Sequence, residues 1–452
     1  MSTISAKYAD FSVRTRFEDL DQKIIDQAKM LILDLTGVSL AGYEMMEFPR
    51  LVVDYMIELG GKPEATILHT KRKFPAINAA FANAACAHAL DMDDGHRFAA
   101  LHPGTVIIPA AMAAAELVKA STREFIAGIV VGYEIMIRIG MAISPSSLNR
   151  GFHITGIAGS FGAAAAAANI MGLSHDETVG AFGMAGLQSS GLIQVNHETE
   201  GAKVKPINPA RAAMSGILSC ILAQRGAHGP ENIFEGEDGF LKAVADKVEH
   251  DLLVRDLGQE FEICKVYLKL YAACRHAHAC IDAALKANED SGIDIEDIRK
   301  INVETYPAAV RLAGIVHPTT ASAARFSIPF SVALALIRKD AGTDKYTEET
   351  VNDEKIQRLA GKVKLAATTE WQEVYPTKRG ATLTIIDKNN AIWSARVDLA
   401  KGEPERPASS EEIHKKFIGN ATQILSEKEA EILGSKIMKL EASFLDDIIR
   451  LL

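Results

Sequence analysis

Residues 86–116 read CAHALDMDDGHRFAALHPGTVIIPAAMAAAE, and the fifteen positions from His88 to His102 set His88, Asp91, Asp93, Asp94, His96 and His102 between two alanine-rich segments. Imidazole and carboxyl groups at the edge of an apolar core suit proton transfer, because burial and neighbouring charge tune their proton affinity. Three further stretches concentrate cations and imidazoles. His153 stands in GFH (151–153), ahead of an alanine-rich helix whose N-terminus favours an anion. Lys203, Lys205 and Arg211 lie in GAKVKPINPAR (201–211), and Lys265, Lys269, Arg275, His276 and His278 in KVYLKLYAACRHAH (265–278).

Each group alone has an ordinary structural use. Aspartates cap helices, lysines snorkel into water, and a histidine at a helix start usually bonds within the fold. The combination carries more weight, because the chain has a net charge of −9 and an anionic ligand would need a local cationic pocket against it. A metal is not expected: there is no HExxH, CxxC or EF-hand pattern, and His276 and His278 with Cys274 and Cys280 lack zinc spacing. GLQSSG (186–191) does not match GxSxG, so a serine nucleophile is not indicated.

The elements that must position these groups are mostly helices. Ile24, Ile25, Ala28, Leu31, Ile32 and Leu35 follow a helical period in 17–43, and further helices are predicted at 49–58, 76–90, 108–119, 122–142, 155–171, 176–187 and 207–225. Gly156, Gly159 and Gly162 form GxxGxxG, which suits close helix packing and is not the dinucleotide fingerprint. After about residue 265 the pattern changes. Segments 300–306 (KINVETY), 362–368 (KVKLAAT), 381–387 (ATLTIID) and 391–399 (AIWSARVDL) alternate like strands, with DKNN as a hairpin turn and helices near 275–288, 321–339 and 348–359. From Ser409 the chain returns to helix, amphipathic to Leu452. The expected fold is mainly α: a large all-helical domain from residues 1–265 and 401–452, with a smaller α+β lid inserted at 266–400. A cleft between two domains is a preferred small-molecule site.

Composition narrows the partners. No basic block offsets the acidic charge, so no nucleic acid is expected. The most apolar stretch, 125–143, is interrupted by Glu134 and Arg138, which suits a buried helix better than a membrane span. Five scattered cysteines without a CxxC pair, and an N-terminus without a signal-like apolar run, point to a reducing, cytoplasmic setting.

In this order, HALDMDD with HPG, GFHITGIAGSFGAAAAAANIMGLS, KPINPARAAMSGILSCILAQRGAHGPENIFEGEDGF, CRHAHACIDAAL and ARFSIPFSVALAL resemble the MmgE/PrpD family across nearly the whole chain. The resemblance implies a helical domain with an α+β lid, a homodimer, a small polycarboxylate substrate, and no required cofactor or metal. It carries the family's site residues onto Asp91, His102, His153, Lys205 and Lys269. Lys205 and Lys269 would hold an enolate-like dianion, and His102, oriented by Asp91, would move the proton, with Lys269 or His153 as a second acid or base. Lys203, Arg275 and His278 are placed with Lys205 on the substrate side. Two departures count against the family's lyases: Gly104-Thr105-Val106 follows the His-Pro in place of a Ser-Asp-Asn run, and Gly95 stands where the decarboxylase pattern has threonine. The resulting expectation is a cofactor-independent epimerase of an iminodisuccinate-type dicarboxylate. A dehydratase or decarboxylase of a citrate- or aconitate-like acid is the second reading, and a non-catalytic carboxylate binder the third.

Overall fold

Two apolar helices, Thr122–Ile143 and Ile154–Met171, run through the middle of the helical part and set its packing distance. Each is long and apolar enough to cross a membrane, yet 94% of each apolar window is buried inside the protein. Small residues bring them together: a Cβ on Gly132 would lie 2.9 Å from the Gly162 carbonyl, and one on Gly162 would lie 2.6 Å from Met136 Cβ. The other glycines of the GxxGxxG series serve the same end against different neighbours, Gly156 beneath the Ser190 carbonyl and Gly159 against Ala212 and Val106. The two buried charged residues of the first helix pair with each other, with Arg138 Nε 2.6 Å from Glu134 Oε1. The second Glu134 oxygen accepts the Glu262 N–H.

The computed structural model describes residues 2–197, 201–291, 293–442, 448–449 and 451. The chain is mainly helical, with the helices Gln22–Met45, Ala76–His88, Gly104–Val118 and Ile207–Gln224 around the central pair. The helix Gly104–Val118 starts four residues before the predicted 108, directly behind Pro103. An N-terminal helix, Ile4–Arg14, and a small hairpin, Ala65–Ile67 with Arg72–Phe74, were not expected from periodicity. The C-terminal helices Ser410–Ala421 and Glu427–Met438 return to Gln22–Met45, so Ile413, Phe417, Leu433 and Ile437 share one apolar core with the N-terminal half. Ser409 starts the first of them with a capping box to Glu412. The predicted amphipathic tail falls largely outside the described residues after 442.

A second apolar core lies under a four-stranded sheet ordered Val363–Ala367, Ile298–Thr305, Ala381–Asp387, Ile392–Val397. The first pair is parallel and the other two antiparallel. At the hairpin the Asp387 carboxylate accepts the N–H groups of Asn389 and Ala391, and Asn390 takes φ +65, as the DKNN turn requires. Arg275–Ser291 and Ile328–Arg338 cover the sheet side. The helices predicted at 321–339 and 348–359 are each broken in two, because the Ser327 and Asp353 side chains cap new starts at Phe330 N and at Lys355 and Ile356 N.

Candidate active site

The helix Ala76–His88 runs out at His88, and three residues later Asp91 reverses the chain in the left-handed region at φ +50. Aspartate tolerates that region better than most side chains, and strain there is a frequent companion of functional sites. The reversal offers both carbonyl and carboxylate to lysines from far along the chain. Lys205 Nζ is 2.8 Å from Asp91 Oδ1. Lys269 Nζ donates to the Asp91 carbonyl at 2.7 Å and stands 3.4 Å from Oδ1. Burial pushes the Asp91 carboxyl up, but Lys205 and Lys269 together hold it well below the usual carboxylate range, so it stays ionised.

Asp93 and Asp94 face opposite ways from the same turn. Asp93 Oδ2 is 2.7 Å from His88 Nδ1 and 3.7 Å from His102 Nδ1. Asp94 accepts the Tyr133 hydroxyl on one oxygen at 2.7 Å and the Gly104 N–H on the other at 2.9 Å. Burial raises the Asp94 carboxyl to about 7, partly offset by the Tyr133 hydroxyl. The Asp94 backbone carbonyl lies 2.6 Å from His102 Nδ1. A carbonyl can only accept, so Nδ1 carries the proton and Nε2 is a bare lone pair. The His102 side chain is 16% exposed and lines the cavity. Burial first, then the nearby Lys269 charge, lowers its pKa to about 3, so it rests neutral, with Nε2 unprotonated.

His153 immediately precedes Ile154–Met171 and also lines the cavity, and its buried Nδ1 has no partner among the described residues. His88 lies between the two imidazoles, its ring centroid 5.1 Å from that of His102 and 6.0 Å from that of His153. The cavity volume is about 120 Å³. Asp91, His102, His153 and Lys205 form its helical wall, Lys269 and Arg275 its junction, and His276, Arg311, Tyr375 and Arg379 its lid wall. A volume below the roughly 300–1,000 Å³ of drug-sized sites suits a small ligand. A larger cavity of about 490 Å³ lies between residues 13–18 and the start of Thr122–Ile143, but no histidine, lysine or cysteine is among its described lining residues.

Six of the eight residues singled out in the sequence therefore meet in one cavity: Asp91, His102, His153, Lys205, Lys269 and Arg275. His278 does not reach it. Its Nε2 is 3.0 Å from the Ala273 carbonyl and its Nδ1 3.0 Å from Arg275, so it braces the start of its own helix. Lys203 sits on the turn Gly201–Val204, outside the cavity lining. His96 also turns away, with Nε2 3.4 Å from Glu262 Oε2. Sequence reasoning missed Tyr267, Arg311, Tyr375 and Arg379. Tyr267 packs where Gly95 has no side chain; a Cβ there would lie 2.3 Å from the tyrosine hydroxyl.

His88, Asp91 and Asp93 offer ligand atoms within 4.8 Å of one another, the one such group among the described residues. Lys205 and Lys269 already stand 2.8 and 3.4 Å from Asp91, and Lys269 is 3.9 Å from Asp93. A metal ion would enter among ammonium groups, so this donor set fits the ion pairs it makes better than a metal.

Residues 6–253 match the MmgE/PrpD N-terminal domain and residues 271–440 the MmgE/PrpD C-terminal domain. A cis-aconitate decarboxylase-like protein of Aspergillus oryzae is 24% identical, covering 97% of this chain and 95% of its own. The cis-aconitate decarboxylase of Mus musculus is 25% identical over 98% of this chain and 91% of its own. The mitochondrial 2-methylcitrate dehydratase of Yarrowia lipolytica is 24% identical over 60% of this chain and 53% of its own.

Proposed function

The chain belongs to the MmgE/PrpD family, and on that premise we propose that it is a lyase which makes or breaks a C–H bond beside a carboxylate of a small di- or tricarboxylate. The names of the relatives, decarboxylases and a dehydratase, favour a lyase over the epimerase expected from the sequence. The observation that carries the reading is the bare Nε2 of a neutral His102 in a cavity that also holds two buried lysines.

In a dehydration, His102 Nε2 takes the proton from the carbon beside a carboxylate. The electron pair moves into an enolate-like dianion beside Lys205 and Lys269, then forms the double bond as the C–O bond breaks and the leaving hydroxide takes the proton from His102 Nε2 to become water. In a decarboxylation the C–C bond breaks, carbon dioxide leaves, and the pair is stored in the remaining conjugated carboxylate until an imidazolium protonates carbon. A bound polyanion raises the proton affinity of His102, so the same residue can serve in either direction. The resting neutral imidazole suits proton abstraction first, which favours dehydration.

The test is to supply citrate-, methylcitrate- and aconitate-type acids and to follow ultraviolet absorbance of unsaturated acids together with released carbon dioxide. Neither signal with any of these acids would exclude the lyase reading. The epimerase is the second reading, favoured by His153 as another imidazole on the cavity wall. It predicts deuterium incorporation from deuterium oxide at the α-carbon without loss of water or carbon dioxide.

A further inference from the structure

The charges around the cavity do not balance on its lid side. On the helical side Asp91 and Asp93 answer Lys205 and Lys269, and at the junction Glu403 accepts from Arg275 at 2.8 Å. Arg379 has no such partner: among the described residues no carboxylate lies within ion-pair distance, although the residue is buried and lines the cavity. Its Nη2 donates to the Arg97 carbonyl, and its Nε is buried without a partner. The guanidinium lies over the Tyr375 ring, 5.9 Å from its centroid.

The backbone holds Arg379 in place from behind. It sits between the helix Thr369–Val374 and the strand Ala381–Asp387, followed by Gly380, where a Cβ would lie 2.3 Å from the Trp371 ring and 2.4 Å from the Val397 carbonyl. The Gly380 carbonyl accepts the Thr305 hydroxyl at 2.8 Å. A pinned, buried guanidinium with a spare donor and no carboxylate in ion-pair contact, the Glu403 charge acting on it only from beyond that distance, is an arrangement that stability alone disfavours. A planar donor fork of this kind matches a carboxylate.

We propose that Arg379 is a carboxylate subsite on the lid wall that selects ligands with a carboxylate remote from the lysine pair, and so tricarboxylates over dicarboxylates. This rests on the polycarboxylate reading above. Because Arg379 also bonds the Arg97 carbonyl, in the same loop as His96 and His102, a ligand held there ties the lid to the loop that carries the base.

Calorimetric binding of two unreactive acids, tricarballylate and glutarate, to the intact protein and to R379M, R379K and K205M tests it. R379M is expected to bind tricarballylate roughly 10- to 100-fold more weakly and glutarate nearly as before. R379K should fall between. Equal loss of both acids in R379M, or unchanged tricarballylate binding, would overturn the subsite. Retention of both acids by K205M would instead overturn the cavity as the binding site, whatever Arg379 does.

Discussion

His102 Nδ1 stands 2.6 Å from the backbone carbonyl of Asp94, and that contact decides which nitrogen the cavity receives. The turn holding the carbonyl is itself held by Tyr133 and Gly104 through the Asp94 carboxyl. The imidazole is thus positioned by backbone and by a tyrosine from a central helix.

Replacing His102 with Gln removes the proton acceptor and keeps most of the volume. Turnover should fall about 10²- to 10⁴-fold, while binding of an unreactive tricarboxylate changes little. Full turnover in His102→Gln would refute its assignment as the base.

Tyr133→Phe tests the support. Removing the hydroxyl leaves one oxygen of a buried carboxyl without its donor, at a cost of about 1–3 kcal/mol. Denaturant unfolding should show that loss, and kcat should fall more than KM rises because His102 is less firmly placed.

Asp91→Asn should destabilise by about 3–5 kcal/mol, since it leaves buried ammonium groups without their carboxylate. Adding Lys205→Met should cost less than the two single changes combined, because the ion pair is shared. Additive losses in unfolding experiments would show that the pair is not coupled.

The kcat/KM profile should show no acid limb near pH 6.5, because in the free protein His102 is held down to about 3. A limb near 6.5 in kcat/KM would mean that His102 titrates at the ordinary imidazole value and is not held down. Stability should nevertheless fall as the pH drops below 6.5. Buried His69, His96, His102, His153, His276 and His278 all have lowered pKa values, chiefly through burial, so the unfolded chain binds more protons there than the native one. Asp34, Asp94 and Glu134, raised by burial, act in the reverse sense, and the histidines outnumber them. Each net proton contributes about 1.4 kcal/mol per pH unit. A melting temperature that rises from pH 6.5 to 5 would contradict this balance.

The helix Glu47–Leu59 exposes Leu51, Tyr55 and Leu59 at 59%, 56% and 52%, spaced four apart on one face beside the turn Gly201–Val204. Val204 and Ile207 extend the apolar surface. We propose that a second copy of the chain covers this stripe. Sedimentation should show a dimer that Tyr55→Glu with Leu59→Glu dissociates; a monomer at micromolar concentration before substitution would reject it.

Helices were legible because burial imposes a 3.6-residue period, and strands because it imposes a period of two. The strand Ala381–Asp387 was read to its ends on that ground, and the helix Gln22–Met45 to within two residues of its C-terminus, though its start lies five residues after the expected 17, behind the Asp21 cap. Breaks at Ser327 and Asp353 were not, since a capping side chain inside an otherwise continuous apolar pattern leaves the period unchanged. Within the site, histidines and lysines against alanine-rich backgrounds stood out. Arg379 did not, because it lies in the charged run PTKRG, which reads as an ordinary surface turn.

The order of residue types thus determined by itself the helical character, the inserted sheet, the family and most of the cavity's reactive groups. Those are properties of local period and composition. Only the tertiary structure decided which groups meet: Asp91 with lysines 114 and 178 positions away, Nε2 of His102 rather than Nδ1 toward the ligand, His278 folded into its own helix, and Arg379 brought from the lid. Side chains that far apart are joined by packing of distant helices, and a carbonyl that fixes a tautomer has no signature in residue identity.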